Sequence, residues 1–232
     1  MRTLAAVLLC ITLPGIVASV EGMAFYAKNR GNGVIVVGEQ ARGYLLHLPR
    51  HHDPSRPTPL VISLHGGGLW GAAQRDISRW NELADREGFI VVYPSGVGRA
   101  SPRSWDTHPG AERNNDLRFL TQLIDTLTAQ YNVDPARVYV NGLSNGGGMT
   151  FALSCAAAER IAAVGIVAGA LFEPWGACIK APPVPVIVFH GTDDTAAPYE
   201  GGTTWVAPWP MPNIPQWVGR WAERQRAQKS RT

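Results

Sequence analysis

The chain has 232 residues, 45% hydrophobic and 17% charged, which is enough for one sizeable core and leaves little room for a second domain. Its formal net charge of +3 is small, and the one basic cluster, Arg224, Arg226, Lys229 and Arg231, has no interleaved aromatic rings on which bases could stack. The cluster reads as a solvated tail, and a nucleic-acid partner is excluded.

Residues 1–19 have the layout of a secretory signal peptide. Arg2 supplies a positive start, residues 4–17 are apolar, and Val17, Ala18 and Ser19 offer small residues for cleavage. Pro14, Gly15 and a hydrophobic run shorter than the ~20 residues a bilayer needs argue against a spanning helix. Leu8 and Leu9 leave no small residue beside Cys10, so a lipid anchor is not expected. The expectation is a monomeric domain over residues 20–232, secreted to the periplasm or beyond, with no membrane contact after cleavage. Two cysteines then remain, Cys155 and Cys178. An oxidising compartment permits them to pair; the alternative is two buried thiols.

Along the mature chain, residues 34–37 and 43–48 read as an antiparallel edge hairpin. Residues 59–64, 89–93, 138–140 and 184–189 are short apolar runs without polar alternation, as strands buried on both faces of a parallel sheet require. Between them, Leu117, Leu120, Ile124, Leu127 and Tyr131 mark one face of an amphipathic helix, with Asp116 near its start to complement the dipole. Strands alternating with helices imply right-handed βαβ crossovers: an α/β fold, mostly parallel, with helices on both faces and reactive residues at the carboxyl ends of strands. Residues 198–215, rich in Pro, Gly and Trp, read as a loop. No strand pattern follows residue 189, so the sheet's last edge is expected to be missing.

Three motifs end predicted strands. Gly142-Leu143-Ser144-Asn145-Gly146 is a G-x-S-x-G sequence between a strand and a small-residue helix, the setting of a nucleophile elbow with Ser144 at its tip. His65-Gly66-Gly67-Gly68 ends the first buried strand, where the Gly67 N–H and the Asn145 N–H can form an oxyanion hole. His65 itself reads as a residue that holds this turn by hydrogen bonds. A phosphate-cradling role for the glycines fails, since no Gly-Lys-Ser/Thr or G-x-G-x-x-G pattern follows. His190-Gly191-Thr192-Asp193-Asp194 ends the last strand and offers the triad carboxylate, with Asp194 preferred over Asp193. A glycosidase carboxylate pair or a metal site is conceivable from the same residues, but the spacing matches no established metal motif.

These blocks, with Arg42-Gly43-Tyr44, residues 84–94, Tyr131-Asn132-Val133-Asp134-Pro135 and the Pro198-Tyr199 pair, resemble the polyhydroxybutyrate depolymerase-like esterases, which include feruloyl and acetylxylan esterases. The likeness runs over about residues 40–224. It implies an α/β-hydrolase fold, Ser144 as nucleophile and Asp194 as acid, with Trp70 and Trp105 lining the substrate cleft or simply packing. It also implies an ester substrate and neither metal nor organic cofactor.

One departure stands out. The family's histidine follows the acid, whereas this chain's histidines are His47, His51, His52, His65, His108 and His190, all before Asp194. A Gly-Cys pair is also expected after Trp221-Ala222-Glu223-Arg224 and is absent. The sequence therefore predicts an exported serine esterase impaired by truncation near residue 224. The competing reading is a non-catalytic carbohydrate- or polymer-binding relic.

Overall fold

A computed structural model describes residues 31–97, 103–107, 114–172, 178, 181–206 and 209–229. The expected signal peptide, His108 and Arg231 lie outside them.

Seven strands form one sheet in the order β1-β2-β4-β3-β5-β6-β7. The antiparallel hairpin is β1 (Gly33–Val37) and β2 (Gln40–His47), and β2 runs antiparallel to β4 (Ile90–Pro94). The rest is parallel: β3 (Thr58–Leu64) lies between β4 and β5 (Val133–Leu143), followed by β6 (Ala163–Val167) and β7 (Val186–Phe189). The helices are α1 (Gly71–Ser78), α2 (Trp80–Glu87), α3 (Asn115–Tyr131), α4 (Asn145–Ala156) and α5 (Ile214–Lys229), with a 3₁₀ turn at Ala158–Arg160.

The central strands are the apolar runs seen in the sequence. Leu60, Ile62, Leu64, Ile90, Val91 and Val92 are fully buried, so main-chain pairing and side-chain burial act together. Strand β6 escaped the sequence reading because Ala163 and Gly165 break its apolar run. Strand β5 is longer than residues 138–140, its register shifting where Asp134, Pro135 and Ala136 intervene.

Helix α3 buries Leu117, Leu120, Ile124 and Leu127 together with Phe119 and Leu123. Its N-cap is Asn114, whose side chain accepts from the Asp116 and Leu117 N–H groups. Asp116 lies in the first turn, where its charge complements the helix dipole as expected. It is buried and ion-paired with equally buried Arg42.

The segment read as a loop over residues 198–215 forms an isolated antiparallel bridge, Gly202 to Met211, then passes into α5 at Ile214. That helix corrects the solvated-tail expectation for Arg224. Trp217 and Trp221 bury one face of α5 against Phe151 of α4, and Arg224 donates to the Cys178 and Ala181 carbonyls. Cys155, near the end of α4, is disulfide-bonded to Cys178.

The other face of the sheet is open over β5–β7. Tyr139, Val167, Ile187 and Phe189 are exposed there, the last two at 57%, along a groove of about 780 Å³ that Ile77 and Trp80 border on the α1–α2 side.

Candidate active site

Ser144 stands where β5 turns into α4, with φ 52° and ψ −116°. A non-glycine residue held there stores about 1–3 kcal/mol, tolerated only because the surroundings fix it. Two features fix it. Its N–H donates to the Val167 carbonyl at the end of β6 (2.8 Å), and its carbonyl accepts from Gly148 and Ala170. The flanking glycines are required by close approach: a Cβ on Gly142 would lie 2.1 Å from the Gly146 oxygen, and one on Gly146 2.4 Å from the His65 oxygen. Ser144 itself is half-buried, as an elbow serine reached from one side should be.

The glycine turn after β3 lies against this elbow. A carbon added to Gly66 would stand 3.7 Å from Ser144 Cβ, and one added to Gly67 would stand 3.7 Å from Asn145 Cβ. The glycine turn thus lies beside Ser144 and Asn145, the residue at which α4 begins.

His65 holds the turn. Its Nδ1–H donates to the Gly66 carbonyl (2.8 Å) and its Nε2 accepts from the Gly96 N–H (2.9 Å), which assigns a neutral ring. Burial pushes this imidazole below its ordinary range, against the opposing pull of the Gly66 bond and the Asp116 charge. The sign follows: an unfolded His65 binds a proton near pH 6.5, the folded one only at lower pH. This contribution to stability is therefore full above about pH 6.5 and is lost as pH falls through the depressed value. Stability against chemical denaturation should fall between pH 7.5 and 5.5 by more in the wild type than in His65→Asn; equal slopes would count against it.

Asp194 lies on the loop after β7. Its Oδ1 accepts from the Ala196 and Ala197 N–H groups at 2.9 and 2.8 Å, which fixes the carboxylate, and Oδ2 is 3.6 Å from His190 Nε2. His190 is committed elsewhere, with Nε2 2.6 Å from the Ala197 carbonyl. Ser144 Oγ has no hydrogen-bond partner among the described residues, so neither His65 nor His190 serves it as a base.

Trp70 is half-buried at the start of α1, with the Arg103 guanidinium 4.8 Å above its ring. Trp105 is turned inward rather than toward a cleft: it is 3% exposed, its ring 4.9 Å from His65 and its Nε1–H bonded to the His65 carbonyl. Among the described residues no three His, Cys, Asp or Glu side chains gather as a metal site would require. No described helix is long and apolar enough to cross a membrane.

A mostly parallel sheet, a strained serine at its carboxyl edge and a glycine turn beside it define an α/β-hydrolase. The family model for esterase PHB depolymerases matches residues 42–204, and the chain belongs to that family. It is 35% identical over 162 residues to a bifunctional acetylxylan esterase/xylanase of Neocallimastix patriciarum, covering 70% of this chain and 23% of that one. Feruloyl esterase C of Emericella nidulans is 32% identical over 178 residues, 75% of this chain and 62% of its own length. A poly(3-hydroxybutyrate) depolymerase of Ralstonia pickettii is 34% identical over 128 residues, covering 50% and 26%. The solved structure of a thermostable esterase superposes with a TM-score of 0.64 at 26% identity, over 85% of this chain and 52% of that one. The chain spans less than two thirds of the length of these relatives.

Proposed function

We propose that this chain carries the acyl-transfer half of an exported carboxylic ester hydrolase. Ser144 Oγ gives up its proton and attacks the ester carbonyl, and the Gly67 and Asn145 N–H groups receive the oxyanion of the tetrahedral intermediate. Its collapse expels the alkoxide, which takes up a proton, and leaves an acyl-serine that water then hydrolyses. Asp194, fixed by two N–H groups, is the acid that orients an imidazole base. Trp70 borders the entrance. The substrates are hydroxyalkanoate, feruloyl or acetyl esters, the classes named among the relatives. The chemistry needs no cofactor. The Cys155–Cys178 bridge and the leader-like residues 1–19 support export.

The observation that carries this reading is the strained backbone of Ser144 beside the glycine turn. A second reading, binding without turnover, is favoured by the lack, among the described residues, of an imidazole on Ser144 Oγ. Hydrolysis of a short-chain nitrophenyl ester by the purified chain and by a histidine-extended chain, each with and without Ser144→Ala, separates the two. The purified chain is expected to turn over slowly, on the order of 10³ to 10⁴ over water, with or without Ser144, because the oxyanion donors and binding supply that rate. Fast turnover by the extended chain that survives in Ser144→Ala would refute the acyl-serine route; no turnover in any of them, with ester still bound, would establish the relic.

A further inference from the structure

Residues 103–107 form a short strap, buried at Trp105 and Thr107, that touches both segments assigned to the oxyanion. On the elbow side, the Asn145 side chain clasps the Trp105 backbone: Trp105 N–H donates to Asn145 Oδ1 (2.7 Å) and Asn145 Nδ2 donates to the Trp105 carbonyl (3.1 Å). On the glycine-turn side, Trp105 Nε1–H donates to the His65 carbonyl (2.9 Å), and the Gly68 N–H donates to the Arg103 carbonyl (2.9 Å). The backbone amides assigned to the oxyanion therefore belong to two segments that share a common fastening.

The strap is anchored from behind. The Asp106 N–H donates to Asp116 Oδ2 (2.8 Å), Asn114 Nδ2 donates to the Asp106 carbonyl, and Asp116 Oδ1 receives Arg42 Nη2. Arg42 is 1% exposed and lies 4.2 Å over the Phe119 ring; among the described residues its Nε and Nη1 make no hydrogen bond. A buried ion pair of this kind contributes little net stability, since desolvation offsets the attraction, but it fixes direction well. Here it fixes Asp116, which fixes the strap.

We propose that Trp105 is a positioning residue, the keystone that sets the spacing between the Gly67 and Asn145 amides, with the Asn145 side chain and the Arg42–Asp116 pair as its fastenings. This rests on the acyl-serine reading of Ser144. The physical case is one of tolerance. Oxyanion donors act only when 2.7–3.1 Å from the developing charge, and an error of about 1 Å costs roughly 100-fold. Two donors carried on different strands need a rigid spacer, and the strap is one whose bonds reach both.

The test uses the full chain, the residual nitrophenyl ester rate that the oxyanion donors supply, and two variants. Trp105→Phe keeps an aromatic ring beside His65 and deletes the indole N–H. Asn145→Ala keeps the backbone N–H that would face the oxyanion and deletes the clasp. Each is expected to lower kcat by about 10- to 100-fold with KM unchanged and a cooperative melt retained. The double variant should be no slower than the slower single, because cutting either fastening frees the same spacer. Wild-type kcat in either folded variant overturns the proposal. So does a rise in KM alone, which would make Trp105 and Asn145 substrate contacts. If Trp105→Phe fails to fold, Asn145→Ala decides, being half-buried and at a helix start. Equal turnover by a histidine-extended chain and by its Ser144→Ala variant would instead mark failure of the acyl-serine reading, a result distinguishable from the others.

Discussion

Joining an in-frame, histidine-bearing segment to the end of this chain is expected to raise Ser144-dependent ester hydrolysis by about 10⁴-fold or more. A serine hydroxyl at neutral pH is a weak nucleophile, and the triad imidazole both removes its proton and returns one to the leaving alkoxide. On the proposed reading, the described residues supply the strained elbow, the glycine turn and a carboxylate held by two N–H groups. Among the described residues no imidazole meets Ser144 Oγ, His65 and His190 being bonded to main-chain groups, and no histidine follows Asp194 in the sequence. The gain should vanish in Ser144→Ala and fall steeply in Asp194→Asn, which removes the charge that orients an imidazole. A comparable rate without the extension, abolished by His108→Ala, would mean that His108 acts as the base and would defeat the prediction.

The largest effect on stability is expected at the aromatic block between α4 and α5. Trp217 is fully buried, meets Phe151 edge-on at 4.9 Å between centroids, and stacks on Trp221 at 5.8 Å with the planes 1° apart. Trp221 also donates its indole N–H to the Val184 carbonyl just before β7. Truncating either ring leaves a cavity in a core that cannot collapse onto a sheet, at about 3–5 kcal/mol for Trp217→Ala. For a chain of this size that lowers Tm on the order of 10 °C. The double variant with Trp221→Ala should lose less than the sum, since the second truncation enlarges an existing cavity. Thermal melts read this directly. A shift within a degree or two for Trp217→Ala would show that α5 is not part of the cooperative core.

The sequence made the chemistry legible where backbone constraint dictates residue type. Gly142 and Gly146 sit where any Cβ would strike an oxygen, so the elbow announces itself in glycine spacing. The central strands were legible for the same reason, since burial on both faces demands unbroken apolar runs. Strand β6 was not, because Ala163 and Gly165, on the open face of the sheet beside Tyr139 and Ile187, break the apolar run that Val164 and Ile166 bury on the other face. The strap was invisible too. Its action runs through main-chain groups of Trp105 and Asp106, which leave no mark on residue choice, and through Arg42 and Asp116, which are 74 residues apart. Only the Trp at position 105 hinted at a role, and the sequence left it open between a cleft wall and simple packing, of which its burial favours the second.

The order of the strands also governs when the elbow can exist during folding. Strand β3 at the sheet's centre pairs with β5, whose partner residues lie far along the chain, Leu60 with Val138 and Leu64 with Gly142, and β5 in turn needs β6 to offer the Val167 carbonyl to Ser144. Contacts this distant in sequence close slowly, and each must meet its loop entropy before it stabilises anything. The serine's geometry is thus a late product of assembly: a nascent or threading chain that has emerged only as far as residue 160 contains the whole G-x-S-x-G motif and none of its strain. The backbone geometry at Ser144 is set by long-range strand pairing, and protection of the Ser144 amide against hydrogen exchange during refolding would time the docking of β6.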